Sequence, residues 1–226
     1  MPANPGRLSR RKYMENPHFV NVRGLRYVCA PGHDDVHPSG SRQAPTVLID
    51  RLKSQLLLVD VQERLVPAMA DSADLLRTCG ILLRAATALR IPVLASEQYP
   101  PGLGPTIADL AAFVPEGRRL PKREFSCWGN PNLRAALVGA ERPQVVVAGV
   151  EAHVCVLQTA LDLIGNGFEV FVAVDAIASR RAASREIALQ RLERAGAAPV
   201  TVEMVLFEWL ESAAAPEFRD LSRLIR

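Results

Sequence analysis

Cys155, Lys122 and Asp60 have the types and the places in the chain that nucleophilic chemistry asks for. Cys155 follows the apolar run Val145-Val146-Val147-Ala148-Gly149-Val150 and stands at the start of a segment with helical periodicity. A strand turning into a helix there sets the thiol at the carboxyl edge of a sheet, beside backbone N–H groups that have no intrahelical acceptor. The positive end of the helix dipole favours thiolate, the species that attacks a carbonyl carbon. A thiol that alkylates quickly near neutral pH is therefore expected. The competing reading is a space-filling cysteine, because free cysteines are among the most buried residues.

Asp60 and Lys122 supply what such a thiol needs. Asp60 closes the apolar run Gln55-Leu56-Leu57-Leu58-Val59, and Lys122 closes a shorter one that begins near Arg118. If both runs are strands of the sheet that carries Cys155, an acid, an amine and a thiol face one crevice. The carboxylate can accept the thiol proton and the ammonium can stabilise the thiolate, each charge offsetting the burial of the other. Taken singly, Asp60 also suits a helix cap and Lys122 a solvated strand-end charge.

The elements that must position these residues follow a repeated strand-helix rhythm. Strands are expected over Gln55–Val61, Ile91–Ser96, Arg118–Lys122, Gln144–Val150, Phe168–Val174 and Pro199–Leu206. Helices are expected along the face Leu75, Cys79, Leu82, Leu83, Ala86 and Leu89, near Thr106, and over Asn132–Gly139, His153–Gly165 and Arg180–Ala195. Tyr99-Pro100-Pro101-Gly102-Leu103-Gly104-Pro105 reads as a loop. Right-handed crossovers then dictate an α/β fold: three layers, α/β/α, around a mostly parallel sheet of about six strands, with ligands at the strand carboxyl ends.

Composition bounds the function. The chain has 226 residues, an apolar fraction of 49% and a net charge of +3, with arginines scattered among acids. That argues for a small-molecule substrate and against nucleic-acid or membrane partners. Cys29, Cys79, Cys127 and Cys155 form no C-x-x-C pair or extracellular framework, which fits a reduced, cytoplasmic protein. Residues 1–45 lack apolar periodicity and read as a poorly structured extension. Its arginines resemble an organelle-targeting signal, but Pro2, Pro5 and Pro17 weaken the amphipathic helix such a signal needs. Cys29, His33 and His37 have metal-ligand spacing, yet a closed zinc site would need a fourth ligand, and a His-containing tail is the preferred reading. A folded domain over 46–212 and a helical tail over 213–226 complete the organisation.

Four segments resemble the isochorismatase-like cysteine hydrolases over residues 46–212. They are Leu57-Leu58-Val59-Asp60-Val61-Gln62, Lys122-Arg123-Glu124-Phe125-Ser126, Gly149-Val150-Glu151-Ala152-His153-Val154-Cys155-Val156 and Val174-Asp175-Ala176. Glu97-Gln98-Tyr99-Pro100 with Gly102-Leu103-Gly104 is similar to the branch of isochorismatase domain-containing proteins. The resemblance implies an Asp60-Lys122-Cys155 triad, a cis peptide between Val150 and Glu151, and an oxyanion hole made by the N–H groups of Glu151 and Cys155. It also implies a thioester intermediate on a small amide-like substrate, Gln62 at the pocket, and a homo-oligomer. The metal-dependent, nicotinamide-hydrolysing relatives carry an aspartate and two histidines after the second strand. Here Glu97, Gln98 and Tyr99 stand there, with no histidine between His37 and His153, so neither a metal nor another cofactor is expected.

Several neighbours carry open readings. Trp128 suits a pocket wall or core packing, as does Cys127. Tyr99 on the proline-rich loop is expected to contact substrate. His153 is read as structural rather than as a base, and Asp175 as a cap. A catalytically silent scaffold that keeps the fold is the alternative to an enzyme. A thiol sensor pairing Cys155 with Cys127 is a further option.

Overall fold

The computed structural model describes residues 47–225. The extension expected over 1–45 lies outside them, and with it Cys29, His33 and His37.

Six strands form the sheet: β1 Ser54–Val59, β2 Val93–Gln98, β3 Arg119–Lys122, β4 Gln144–Val150, β5 Glu169–Ala178 and β6 Ala198–Val200. All pair in parallel, in the order β3-β2-β1-β4-β5-β6. The winding reverses between β1 and β4, so the crevice where ligands settle in such sheets lies beyond the ends of those two strands. The helices are α1 Ser72–Ala88, α2 Pro100–Leu103, α3 Ala108–Ala111, α4 Pro131–Gly139, α5 Leu157–Gly165, α6 Ala182–Arg194, α7 Val202–Leu210 and α8 Phe218–Leu221.

Alternation along the strands explains the three layers. In β1, Leu56 and Leu58 enter one apolar cluster with Leu82 of α1 and Val205, Leu206 and Trp209 of α7. Leu57 and Val59 enter the other, with Leu133 and Leu137 of α4 and Leu163 of α5. Because both faces are covered, the central strands read as continuous apolar runs rather than as an alternation.

Two elements depart from expectation: residues 99–105, read as a loop, carry the short helix α2, and the last strand is shorter than expected. The segment Pro199–Leu206 is not one strand: β6 stops at Val200, and α7 begins at Val202. Thr201 caps the helix, its hydroxyl accepting the Met204 N–H. Val202, Val205, Leu206, Trp209 and Leu210 are its buried residues, a spacing of three and four that belongs to a helix. Trp209 and Leu210 close this chain's own core, whereas Phe207 is 41% exposed and meets Phe218 of the tail.

Gly149 decides how closely the two central strands meet. Its φ is 114°, and a side chain there would run into the backbone of Val59. Glycine thus lets β4 pass against the residue just before Asp60.

Candidate active site

Asp60 follows β1 with a φ of 51°, which turns its side chain off the strand into the crevice. It is fully buried. One carboxylate oxygen accepts the Ser96 hydroxyl at 2.7 Å and the other accepts Lys122 Nζ at 2.7 Å. The ammonium also donates to Gln98 Oε1 at 2.7 Å and reaches the carbonyls of Phe125 and Glu124 at 3.1 and 3.2 Å. Every proton of Lys122 therefore has an acceptor. Burial pulls the lysine toward the neutral form, but the charge of Asp60 and the hydrogen bond to it outweigh that and raise its pKa above the ordinary value.

Cys155 lies in a π-helical turn, Ala152–Val156, that opens directly into α5. Such turns recur at functional sites because they re-aim one side chain within a helix. The thiol is 6% exposed, with the Asp60 carboxylate in hydrogen-bonding reach. The expectation of a readily ionised thiol is corrected here. Burial first, and then the Asp60 charge, push the Cys155 pKa well up, and the Lys122 cation offsets this only in part. The ammonium acts as expected in direction, but desolvation outweighs it.

The peptide between Val150 and Glu151, just ahead of this turn, is cis. The Glu151 carboxylate turns to the rim, where it accepts the backbone N–H and Nε of Arg180, both at 3.1 Å. His153 Nδ1 pairs with Ser179 Oγ at 3.0 Å, so its ring is engaged on the β5 side. The Asp175 carboxylate accepts the Val202 N–H at the start of α7.

Gln62, expected at the pocket, is committed elsewhere. It is fully buried; its amide nitrogen donates to the carbonyls of Gln98 and Gly104, and its oxygen accepts the Gln98 N–H at 2.7 Å. It braces the loop after β2 instead of facing a ligand. Trp128 packs edge-on against Phe168, before the start of β5, with ring centroids 5.7 Å apart. Tyr99 stands open at the rim, 45% exposed, its N–H donating to the Lys122 carbonyl at 2.9 Å. Cys127 is fully buried, its N–H donating to Thr159 of α5, while Ser126 donates to Asp162 at 2.6 Å. These two bonds tie the loop carrying the Glu124 and Phe125 carbonyls to the helix carrying the thiol.

The polar side chains that end β2 are occupied. Glu97 accepts both the N–H and the hydroxyl of Thr106, and Gln98 accepts from Lys122. Among the described residues, no group of three His, Cys, Asp or Glu side chains is placed to hold a metal ion. None of the described helices is long and apolar enough to cross a membrane.

Ser96 was not singled out from sequence, and Gln98 was named only within the branch motif and not as a partner of Lys122, though a signal existed. They are polar residues two apart at the carboxyl end of a buried strand, hence on one face and beside Asp60.

Comparison with known proteins matches this architecture to a family. The isochorismatase domain family model covers residues 54–204. Isochorismatase domain-containing protein 1 of Danio rerio is 44% identical over 172 residues, 74% of this chain; the chain spans 59% of that relative's length. Isochorismatase domain-containing protein 2 of Pongo abelii is 40% identical over 177 residues, covering 76% of this chain and 83% of the relative. Among solved structures, the MAR1 ribonuclease of Caenorhabditis elegans superposes with a TM-score of 0.74 at 33% identity, over 79% of this chain and 92% of that one. The YcaC gene product of Escherichia coli, described as an octameric hydrolase of unknown specificity, gives 0.73 at 26% identity, over 80% and 97%. The chain therefore belongs to the isochorismatase domain family, within the branch of isochorismatase domain-containing proteins.

Proposed function

We propose that this chain is a cysteine hydrolase that needs no metal and cleaves a C–N bond in a small amide-like compound, with Cys155 as nucleophile, Asp60 as proton carrier and Lys122 as a fixed cation. One observation carries the reading: a fully buried carboxylate is held by Ser96 and Lys122 with a thiol in reach. A structural role calls for no such group, since a buried ion pair is rarely worth its desolvation.

The raised thiol pKa sets the order of events. Cys155 rests protonated, so its proton passes to Asp60 as sulfur attacks the carbonyl carbon. The backbone N–H groups of Glu151 and Cys155, at the opening turn of a helix, are the donors for the oxyanion. Collapse expels the amine, which takes the proton from Asp60 and leaves a thioester. Water then attacks the thioester, giving its proton to Asp60, and thiol and acid are released. Lys122, with all its protons engaged, keeps Asp60 in place and offsets the charge that moves through it. A homo-oligomer belongs to this reading and is supported by the octamer described for the E. coli relative.

Screening the purified chain against small amides and cyclic imides tests this. Cys155→Ala and Asp60→Asn are expected to lower kcat by at least about three orders of magnitude. Absence of turnover on all of these compounds, with the biological activity of the chain intact in Cys155→Ala, would leave the scaffold reading in its place.

A further inference from the structure

Arg123 is the next residue after Lys122, and its guanidinium lies over the Tyr99 ring, 5.1 Å from the centroid. Both partners are held by the catalytic framework. The Tyr99 N–H donates to the Lys122 carbonyl, and Gln98, which accepts from Lys122 Nζ, donates through its Nε2 to the Arg123 carbonyl at 2.9 Å. The loop beneath the ring is just as constrained. Pro100 and Pro101 follow Tyr99, and a Cβ at Gly102 would come within 2.6 Å of the Tyr99 ring. The pair is thus a preformed platform at the mouth of the site.

The charges around it are unevenly settled. Inside, Asp60 and Lys122 neutralise each other. Across the mouth, Arg180 has a counterion in Glu151. The carboxylate beside Arg123, Glu124, is turned back onto the Arg123 backbone N–H and Asn130 Nδ2, both at 3.1 Å. Arg123 takes part in none of the ion pairs formed among the described residues. A guanidinium held over a ring by its cation–π attraction still has N–H groups to offer, and their fork matches a carboxylate in two parallel bonds.

We propose that Arg123 on Tyr99 receives a carboxylate of the substrate, so that the compound hydrolysed at Cys155 is an anionic amide. This rests on the reading of Cys155 as the nucleophile. A neutral amide would leave exposed Arg123 with solvent alone, whereas an amide bearing a carboxylate supplies it with a counterion.

Two alkylating reagents of nearly equal size probe this charge preference directly at the thiol. Iodoacetate is anionic and iodoacetamide neutral; with either, the Cys155 sulfur forms the bond to carbon, iodide leaves and the thiol proton passes to base. Rates are followed at Cys155 by peptide mass mapping in the full chain at mildly alkaline pH. In Arg123→Gln the ratio of iodoacetate to iodoacetamide rates is expected to fall at least about threefold, and added salt should shrink the wild-type ratio. Arg123→Lys should retain part of it, and Arg180→Gln should change it less. A ratio unmoved by Arg123→Gln, or moved as much by Arg180→Gln, overturns the carboxylate proposal while leaving Cys155 a nucleophile. A Cys155 that reacts with neither reagent, in the wild type or in Asp60→Asn where its pKa is lowered, overturns the nucleophile reading, and the carboxylate proposal with it.

Discussion

Both ends of the sheet bury polar side chains, but of different kinds. At the amino ends of the strands they are neutral. Trp209 Nε1 donates to Ser54 at 2.8 Å, Gln55 Nε2 donates to the carbonyls of Leu137 and Arg142, and Gln144 ties the Asp50 N–H to Glu169. These bonds stitch helices, a loop and a neighbouring strand to the start of a strand. At the carboxyl ends neutral groups such as Ser96 and Gln62 are joined by a buried ion pair, Asp60 and Lys122, with Cys155 beside it. Neutral polar groups satisfied by backbone add modestly to stability, whereas buried charges pair at large desolvation cost and stay where chemistry uses them. The contrast tells a stitch from an active site without reference to any ligand.

The largest expected effect comes from breaking the ion pair. Lys122→Met leaves Asp60 buried and unpaired, and should cost about 3–5 kcal/mol in urea unfolding. Pairing it with Asp60→Leu should restore much of that loss while activity stays absent. If the single variant costs no more than an exposed lysine does, the two ends are not different in kind. Lys122 also sets an alkaline limit. Its folded pKa is raised, so its contribution is complete below the ordinary lysine value and fades as pH climbs through the higher folded one. The alkaline loss should be smaller in Lys122→Met.

At the other end, Trp209→Phe removes the N–H bonded to Ser54 and should cost about 1–3 kcal/mol, measured the same way, with turnover unchanged. A loss of turnover as large as that from the triad variants would erase the distinction.

A smaller effect, worth about 1.4 kcal/mol, separates the two roles of Asp60. Because its charge helps hold Cys155 protonated, Asp60→Asn should lower the thiol pKa and speed iodoacetamide labelling near neutral pH about tenfold, even as hydrolysis fails. Slower labelling would mean that Asp60 serves only as a base.

The places of Asp60, Lys122 and Cys155 were legible in the sequence because strand ends in a parallel sheet converge on one edge, and apolar runs mark those ends. Whether they meet was not legible, since that depends on Ser96 and Gln98 of a neighbouring strand. Thr201–Leu206 misled for a physical reason: the run Val202-Glu203-Met204-Val205-Leu206 suits either period, and only Trp209 and Leu210 beyond it favour a helix. The protonation of Cys155 was out of reach because the dipole of a helix end can be read from local sequence but burial cannot. Gln62 stood in a matching motif, yet its amide is spent on the loop after β2.

The reversal of winding between β1 and β4 divides inheritance as well as space. The thiol and its turn belong to the half of the chain that continues into β5, while Tyr99 and the stretch from Pro100 to Arg118, which joins β2 to β3, lie on the other side of Asp60. Residues 99–118 can therefore be exchanged between relatives, by recombination or by a protein engineer, with the nucleophile turn left intact. For the cysteine hydrolase proposed above, substrate range can drift there while Asp60, Lys122 and Cys155 are handed down unchanged.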